Sequence, residues 1–393
     1  SVVGKIINEK HYTVFYKDQK IVDGPIEKIN EGFVYNRPMK EKEKSIFSEP
    51  LPKNQNYNDV VLKILGHENV ASRAPVYECY DKNVQGRVVL ERGQANAGVV
   101  APFDSEKYPE EIKDDCFSAT LSHNPAIGKI DSFLVAQYAV LEACARTVSV
   151  GATPVALTDC LCFGNPEKPE QMWQFAQSCL AIREACDLLR FDGLKNLPIV
   201  AGNVSFYNQS GGQPIPASPM IGCFGKTTKA GLLKNDFQNS GSNIFLVGGQ
   251  HSSIGGGVVC DVLNIKNTLI EKFDVKQYCA VLNGLLSANK AGLLKSCHYV
   301  GLGGLAASVS RMSFKNSVGC YIDEISEDLL FSENLSFVVE VNKESSGSFQ
   351  KILKEGGVPF SLVGTTNNTN KVVFDKHIDI NISLAKNVWV NSL

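Results

Sequence analysis

The segment Leu157–Asn208 decides the fold of this chain. It begins with LTDCLCFGNPEKPEQMWQF at Leu157–Phe175 and closes with AGNVSFYN at Ala201–Asn208. The pattern predicts a buried strand, a polar turn, a long amphipathic helix, a second buried strand and a second polar turn. Proline and acidic residues after Gly164-Asn165-Pro166 are typical of a helix start. The apolar residues that follow recur every three or four positions, so one helix face is predicted to be buried: Met172, Phe175, Ala176, Cys179, Ile182, Cys186 and Leu189.

Oxygen-bearing side chains follow both predicted strands. Asp159 comes directly after the first apolar run, and Gly202, Asn203 and Ser205 follow the second. Glycine lets a ligand approach the backbone, and amide and hydroxyl oxygens suit a divalent cation or a phosphate-bearing ligand. Two such strand ends in one sheet would form a phosphate and metal corner. Each residue by itself is also ordinary in a turn.

Composition bounds the class of protein. The chain has 393 residues, 20% of them charged and 44% hydrophobic, with a formal net charge of -2. This length suits two or three domains, and the charge gives no reason to expect nucleic acid or an anionic membrane as a partner. Most of the twelve cysteines lie in apolar periodic segments, which favours reduced thiols and a cytoplasmic location. The close pair Cys160-x-Cys162 stands without a second pair or a clustered histidine, so it makes a poor zinc site.

The pattern divides the chain into four parts. Residues 1–38 are predicted to be the strand-bearing tail of a preceding domain, and residues 39–76 a charged linker with a short helix at Tyr57–Leu65. Residues 77–226 and 227–393 are predicted to be two full domains. Strands and helices do not alternate regularly, so the predicted class is α+β with one mixed sheet per domain.

The predicted elements within these parts are the following. Short strands are expected at Val2–Ile7, Tyr12–Tyr16 and Gln19–Val22, with a turn at Asp23-Gly24. The first full domain adds strands at Val88–Leu90, Ala97–Ala101 and Phe117–Leu121, and a helix at Phe133–Val148. The second adds strands at Ile244–Val247, Leu335–Val341 and Val372–Phe374, and helices at Val275–Ala288 and Gly303–Met312.

Several stretches together resemble one known family. They are TDCLCFGNPEKP and GNVSFYN, already described, with YDKNVQG (Tyr80–Gly86), SHNPAIGKID (Ser122–Asp131), LLFSE (Leu329–Glu333) and the C-terminal NVWVNSL. They closely resemble the synthetase subunit of phosphoribosylformylglycinamidine (FGAR) amidotransferase, from purine biosynthesis. The resemblance covers nearly the whole chain but only the second half of that subunit, so a cut or truncated chain is expected.

The resemblance implies a fold and an activity. The fold would be aminoimidazole ribonucleotide (AIR) synthetase-like: an N-terminal mixed-sheet domain that pairs sheet to sheet, and a C-terminal α/β sandwich domain. The activity would be the ATP-dependent conversion of FGAR and ammonia to the amidine FGAM, with ATP and Mg²⁺ as cofactors. Asp159 and Gly202 would contact ATP, Asn203 would bind magnesium and Ser205 would contact FGAR.

The resemblance also implies partners. The general base, a histidine in the family, would lie in the first half, so no catalytic residue is expected here and the isolated chain should be inactive. Ammonia would come from a separate glutaminase subunit, and a small accessory subunit is a further expected partner. The working site would lie between the two halves. An isolated half is expected to homodimerise through its exposed sheet face.

Some residues depart from the family pattern. Tyr299 and Leu302 stand where the family usually carries acidic residues able to hold metal, and Arg146 replaces an asparagine near Glu142. Any auxiliary nucleotide site in this half is therefore predicted to be degenerate, with Glu142 and Arg146 forming an i,i+4 ion pair. His298 is predicted to be structural.

Three alternatives stay open. Gly255-Gly256-Gly257 is either a phosphate cradle or a turn between a strand and a helix. The chain is either half of the amidotransferase subunit or a complete ATP-dependent enzyme of the wider AIR synthetase superfamily, which would need an acidic, glycine-rich N-terminal ATP segment. A non-catalytic half that serves only in pairing is the third reading.

Overall fold

The computed structural model describes residues 2–30, 34–91, 93–249 and 251–393. The helices within these ranges are α1 (Ile26–Asn30), α2 (Tyr57–Leu65), α3 (Ala74–Tyr77), α4 (Glu110–Lys113), α5 (Pro125–Ile130), α6 (Ser132–Ser149), α7 (Pro169–Leu188), α8 (Val258–Leu263), α9 (Val275–Lys290), α10 (Gly304–Ser313), α11 (Glu327–Phe331), α12 (Ser346–Glu355) and α13 (Ile382–Asn391). Short 3₁₀ turns lie at Val84–Gly86 and Lys343–Ser345.

The strands are β1 (His11–Tyr16), β2 (Gln19–Pro25), β3 (Val88–Leu90), β4 (Gly98–Val100), β5 (Asp115–Ser122), β6 (Thr153–Cys162), β7 (Ile199–Ser205), β8 (Gln209–Ser210), β9 (Gln213–Pro214), β10 (Ser218–Thr228), β11 (Asn243–Val247), β12 (Leu294–Tyr299), β13 (Gly319–Ile322), β14 (Phe337–Val341), β15 (Phe360–Asn367), β16 (Lys371–Phe374) and β17 (Ile378–Asn381).

The first large sheet has the order β3-β4-β5-β10-β6-β7. Its strands pair antiparallel except β6 and β7, which are parallel. A parallel pair needs a long crossover connection, and α7 supplies it. Helices α6 and α7 pack together, and α6 also packs against β5 and β10. One face of this sheet is therefore covered by helices.

The second large sheet has the order β12-β14-β11-β15-β13-β16-β17. It too is mixed, since β13 and β16 run parallel while the other neighbours are antiparallel. Two mixed sheets with helices packed against them agree with the predicted α+β class. The five residues of β14 are all buried, so the middle of this sheet lies in the core.

Helix α6 joins the cores of the two sheets. From Val135 to Ala145 every side chain is buried, and the helix contacts β10, β12 and α9. Most of these side chains are small or aliphatic, so neighbouring elements can approach the helix on several sides. One continuous hydrophobic cluster consequently runs from Ile127 through α6 to Val358.

The N-terminal region differs from its prediction. Val2–Ile7 has no regular structure, and Asp23-Gly24, predicted as a turn after the second strand, lie within β2. The β1–β2 hairpin turns at Lys17-Asp18. Both turn residues have positive φ angles of 46° and 63°. A short helix, α1, follows where none was expected.

The segment predicted as a linker lies against the second sheet's layer. Ser48 pairs with Asn267, and the Phe47 carbonyl accepts the Thr268 N–H at 2.9 Å. The predicted helix at Tyr57–Leu65 is present and contacts α8, α10 and α13. This region is therefore held to the fold by hydrogen bonds and apolar packing.

The segment quoted first forms the predicted strand, helix and strand, with two corrections. Strand β6 continues to Cys162, and β7 contains the residues predicted as a turn, Gly202–Ser205. The buried face of α7 is rotated from the prediction. Met172 and Phe175 are half-buried, while the most buried positions include the polar Gln171, Gln174 and Ser178. Among the described residues, none of the helices has both the length and the apolar character that a bilayer crossing requires.

Candidate functional site

The four residues predicted to form a ligand corner lie on adjacent parallel strands. Asp159 on β6 is paired with Gly202 on β7, Cys160 with Asn203, and Cys162 with Ser205. The four residues therefore lie close together, as predicted. They are close because two strands are paired side by side, not because two turns meet.

The side chains of this group divide between the two faces of the sheet, because successive strand residues point to opposite sides. Asp159 and Gly202 share the face covered by helices: a Cβ built on Gly202 would lie 2.7 Å from Asp159 Oδ1. Asn203 and Cys160 share the open face, where Asn203 Nδ2 lies 3.9 Å from Cys160 Sγ. The absence of a side chain at Gly202 leaves the space that the Asp159 carboxylate occupies.

Partial burial sets the electrostatics of Asp159. Burial raises the pKa of its carboxyl above the usual value, and the backbone N–H of Asn203 opposes this shift by hydrogen bonding. Helix α7 contributes Cys179 on the same side, and the pKa of that thiol is raised by burial first and by the charge of Asp159 second. Asp159 thus lies half-buried on the helix-covered face, beside the thiol of Cys179.

Asn203 is exposed and can offer one amide oxygen to a ligand on the open face. A single neutral oxygen fits magnesium only as part of a shared site, since this ion takes several oxygen ligands from substrate phosphates, water and other groups. The described residues contain no cluster of three or more histidine, cysteine or acidic side chains that could hold a metal by itself. These residues can therefore contribute one ligand to a magnesium ion but cannot form a complete metal site by themselves.

Ser205 is positioned by Asn208, a residue that sequence reasoning did not single out. The Asn208 amide donates to the Phe163 carbonyl at 3.1 Å and to Ser205 Oγ at 3.1 Å. Between them Tyr207 has a positive φ of 62°, and its hydroxyl donates to Glu167 at 3.2 Å. These contacts fix the turn after β7, so the Ser205 hydroxyl has a defined place at the end of the strand. The asparagine-containing turn was visible in the sequence, but the carbonyl of Phe163 that binds the Asn208 side chain was not.

Cys160 and Cys162 are adjacent on one strand, with their sulfur atoms 3.8 Å apart. Both are free thiols and half-buried. Burial raises the pKa of Cys162 above the ordinary thiol value. Cys160 contacts the amide of Asn203, so the pair contributes soft sulfur atoms beside a group that carries a hard oxygen.

Glu142 and Arg146 do not form the predicted ion pair. Glu142 accepts hydrogen bonds from the Ser122 hydroxyl and from Tyr299 at 3.0 Å. Arg146 donates instead to two backbone carbonyls, those of Asn96 at 3.1 Å and Leu121 at 2.8 Å. Tertiary neighbours therefore outcompete the local helix partner.

His298 is buried at the end of β12. Its Nδ1 lies 2.6 Å from the Tyr299 carbonyl oxygen, which makes Nδ1 the protonated nitrogen. Burial lowers the pKa of His298 to about 3, so the ring is neutral at pH 7. The contact agrees with the structural role predicted for this residue.

The glycine run at Gly255–Gly257 forms a turn before α8. Gly256 has φ 70°, and a Cβ on Gly255 would lie 2.3 Å from the Leu269 carbonyl oxygen. Both glycines are thus required by backbone conformation and close packing. These requirements account for the run without a bound phosphate.

Two family models match the chain. The model described as "AIR synthase related protein, N-terminal domain" matches residues 95–226, and "AIR synthase related protein, C-terminal domain" matches residues 239–376. The first match contains β6, α7 and β7, and the second contains most of the seven-stranded sheet.

Curated relatives extend the similarity beyond these domains. "Phosphoribosylformylglycinamidine synthase subunit PurL" of Methanothrix thermoacetophila is 30% identical over 366 residues, which cover 90% of this chain and 46% of the relative. The protein of the same name from Campylobacter jejuni subsp. doylei is 30% identical over 97% of this chain and 51% of its own length. The chain spans about half the length of the curated relatives it matches.

Solved structures share the fold. "T. maritima PurL complexed with FGAR" superposes with a TM-score of 0.64 at 15% identity, covering 84% of this chain and 53% of that one. "T. maritima PurL complexed with AMPPCP" has a TM-score of 0.56 at 18% identity, with coverages of 92% and 50%. "Structure of PurLQS from Thermotoga maritima" gives 0.57 at 17% identity, with coverages of 92% and 49%.

Proposed function

The chain belongs to the family of AIR synthase related proteins, and from this premise we propose that it is one half of an FGAM synthase synthetase subunit. In the proposed reaction FGAR, ATP and glutamine-derived ammonia give FGAM, ADP and phosphate. The sequence resemblance assigns the chain to the second half of the subunit. In this proposal the chain contributes one side of the active site and needs the first half for turnover.

The observation that carries the proposal is the β6–β7 pair. Asp159 is paired with Gly202, and Asn203 and Ser205 follow Gly202 one and three positions further along β7. The chain also aligns with about half of each PurL relative while using 90% or more of its own length. A chain that matches half of a longer relative supports an active site shared between two halves better than an active site contained in this chain.

The residues have distinct roles in the proposed site. Gly202 leaves room for the Asp159 carboxylate, which holds a hydrogen-bonding group of ATP at the sheet edge. On the open face Asn203 offers an oxygen to magnesium, and Ser205, positioned by Asn208, donates a hydrogen bond to FGAR. Magnesium, when bound, would offset the negative charge of the phosphoryl oxygens.

In phosphoryl transfer the protein mainly positions the reacting groups and stabilises the charge on the phosphoryl oxygens. Strands β6 and β7 supply the positioning, because their paired backbones fix the spacing between the four residues. Proton transfer is assigned to a histidine of the first half. The chain alone is therefore expected to be inactive.

The proposed partners follow from the same division. The first half of the subunit would cover the open face of the six-stranded sheet, and ammonia would come from a separate glutaminase subunit. The similarity to a structure named PurLQS supports further subunits, including a small accessory one. The proposed location is the cytoplasm.

A second candidate is a pairing half without a catalytic contribution. It is favoured by the contact that Asn203 makes on the open face, where its amide lies 3.9 Å from the sulfur of Cys160, because thiols are poor ligands for magnesium. A complete enzyme of the wider superfamily is less consistent with the half-length match to the relatives.

Reconstitution with the first half of a PurL relative tests the proposal. The mixture should form FGAM from FGAR, ATP, magnesium and ammonia, whereas each half alone should not. Asn203→Ala should lower kcat/KM by about tenfold or more and raise the magnesium concentration needed for half-maximal rate.

The matched control is Asn391→Ala, which removes an exposed asparagine at the end of α13. It should leave both parameters unchanged. Full activity and unchanged magnesium dependence in Asn203→Ala would reject the metal assignment and favour the pairing-only half.

A further inference from the structure

A cavity lies between the two sheet layers, away from Asp159 and Asn203. Its larger part has a volume of about 450 Å³, with Arg146, Tyr299 and Arg311 in its lining. An adjoining part of about 280 Å³ contains Asp236, Lys315 and Lys386. The two parts share Arg311, His298 and Trp389. The combined space is sufficient for a small organic molecule.

Arg311 gives the strongest indication of a ligand. Within the part of the chain that the structure describes, its guanidinium makes neither a hydrogen bond nor an ion pair. It lies over the Trp389 ring, 5.5 Å from the centroid. Arginine stays charged at any physiological pH, and a partly buried charge without an acceptor is costly. An anion in the cavity would remove that cost.

Arg146 presents a second guanidinium to the same cavity. Its bonds to the neutral Asn96 and Leu121 carbonyls fix its position, and the nearby Glu142 carboxylate offsets part of its charge without forming an ion pair with it. It also lies 5.8 Å from the Tyr299 ring centroid. Two guanidinium groups on one cavity suit the oxygens of a phosphate.

The remaining charges of the lining are also mainly positive. The described cationic side chains are Arg73, Arg146, Arg311, Lys315 and Lys386, and the carboxylates are Glu142 and Asp236. Glu142 is already occupied by the Ser122 and Tyr299 hydroxyls. Burial raises the pKa of Asp236 to about 6, with the surrounding lysines and Arg311 opposing the shift. The cavity therefore carries a surplus of positive charge.

Magnesium does not fit this lining. A hard divalent cation needs several oxygen ligands, most of them anionic. Tyr299 and Leu302 line the cavity at positions where a magnesium site would need carboxylates. Glu142 already accepts hydrogen bonds from neighbouring hydroxyl groups. The guanidinium groups would also repel the ion. A ligand held here must bind without a metal bridge.

We propose that this cavity is a metal-independent binding site for a small phosphate-bearing molecule, with Arg146 and Arg311 as its charge partners. The site is independent of the β6–β7 corner and of the proposed ligase activity. The phosphate would lie between the two guanidinium groups, and the rest of the molecule would extend past His298 toward Lys315.

Isothermal calorimetry on this chain tests the site, with inorganic phosphate and ribose 5-phosphate as probes in buffer containing EDTA and constant ionic strength. Saturable binding is expected for at least one of the two probes. Arg311→Met should weaken it at least about tenfold, because a charge-assisted hydrogen-bond pair is lost. The control Arg183→Met removes an exposed arginine of α7 paired only with Asp187, and should bind like the wild type.

Thermal unfolding gives a second readout that does not depend on measuring heat. Without ligand, Arg311→Met should melt at or above the wild-type temperature, because an unpaired charge is replaced by an apolar side chain of similar length. Phosphate should raise the wild-type midpoint but not that of the variant. If Arg311→Met melts well below wild type even without ligand, Arg311 has a structural role and the proposal is wrong.

Three outcomes would overturn the proposal. The first is the absence of saturable binding for both probes up to 10 mM, about the weakest affinity of interest for a metabolite. The second is equal binding by the wild type and Arg311→Met. The third is binding of MgATP that disappears with EDTA while neither probe binds. Malonate tests the ligand class: tighter binding of this dicarboxylate than of phosphate would reject the phosphate assignment.

Discussion

At the scale of single residues, strand alternation decides what each ligand-corner residue can touch. Asp159 and Gly202 face the helices, while Asn203 faces the open side next to Cys160. The residue types alone indicated oxygen ligands and a close backbone approach. Which face each one uses follows from the register of β6 with β7.

Glu333 is a second residue whose role emerges from its surroundings. Its Oε1 accepts the backbone N–H groups of Val258 at 2.8 Å and Gly303 at 2.9 Å, which joins the starts of α8 and α10. Burial raises the pKa of this carboxyl to about 7, and the two hydrogen bonds only partly oppose the shift.

Glu333→Gln should therefore change how stability depends on pH. A folded-state pKa above the unfolded value of 4.5 means that the contribution of Glu333 is fully present below pH 4.5 and is lost as the pH rises through 7. Glutamine keeps the accepting oxygen and cannot ionise. Relative to wild type, the variant should gain up to about 3 kcal/mol between pH 4.5 and pH 8, measured by urea unfolding. Parallel profiles, as expected for the exposed control Glu344→Gln, would contradict this.

At the scale of elements, α6 organises the fold because both layers pack against it. Its N-terminus is capped by Asp131, whose Oδ1 accepts the N–H groups of Phe133 at 2.8 Å and Leu134 at 2.9 Å. The other carboxylate oxygen pairs with Lys44 at 2.5 Å, from the segment predicted as a linker. One side chain thus fixes the helix start and attaches that segment.

Asp131→Ala should lower the free energy of unfolding by about 1–2 kcal/mol, because two helix N–H groups lose their acceptor. Asp131→Asn keeps the cap and loses the ion pair, so it should cost less than about 1 kcal/mol. Urea unfolding of the two variants separates the effects. A loss in Asp131→Asn as large as that in Asp131→Ala would assign the stability to the Lys44 contact.

At the scale of the whole molecule, the helices of the described residues that pack on the six-stranded sheet lie on one of its faces. On the other face Leu121 is 60% exposed and Phe224 is 42% exposed, and the half-buried Phe117 lies on the same side. An exposed apolar sheet face of this kind is typical of an interface. In the proposed enzyme the first half would cover it.

The isolated chain is expected to cover this face with a second copy of itself. Light scattering at micromolar concentration should give a dimer mass for the wild type and a monomer mass for Phe224→Lys, because a buried lysine charge opposes the contact. Leu180→Lys changes another exposed apolar side chain, on α7, and should remain dimeric. A monomeric wild type would contradict the expectation.

The sequence by itself determined the fold class, the long helices α6, α7 and α9, and the two strands that carry the β6–β7 corner. The apolar periods of residues 133–148 and 275–288 predict long helices, and the quoted motifs identify the family. These features are readable because periodicity and turn chemistry are local properties of the chain. The rotated face of α7 was missed because polar residues such as Gln174 and Ser178 are buried there against tertiary neighbours.

Tertiary structure alone decided which side chains pair across the molecule. Glu142 and Arg146 are one helical turn apart, yet Glu142 binds Tyr299 across the domain contact and Arg146 binds the Leu121 carbonyl. Arg311, far from both in sequence, shares their cavity and lacks an acceptor among the described residues. A buried polar group takes whichever partner the packing brings within reach, and that partner is set by the folded arrangement of distant segments.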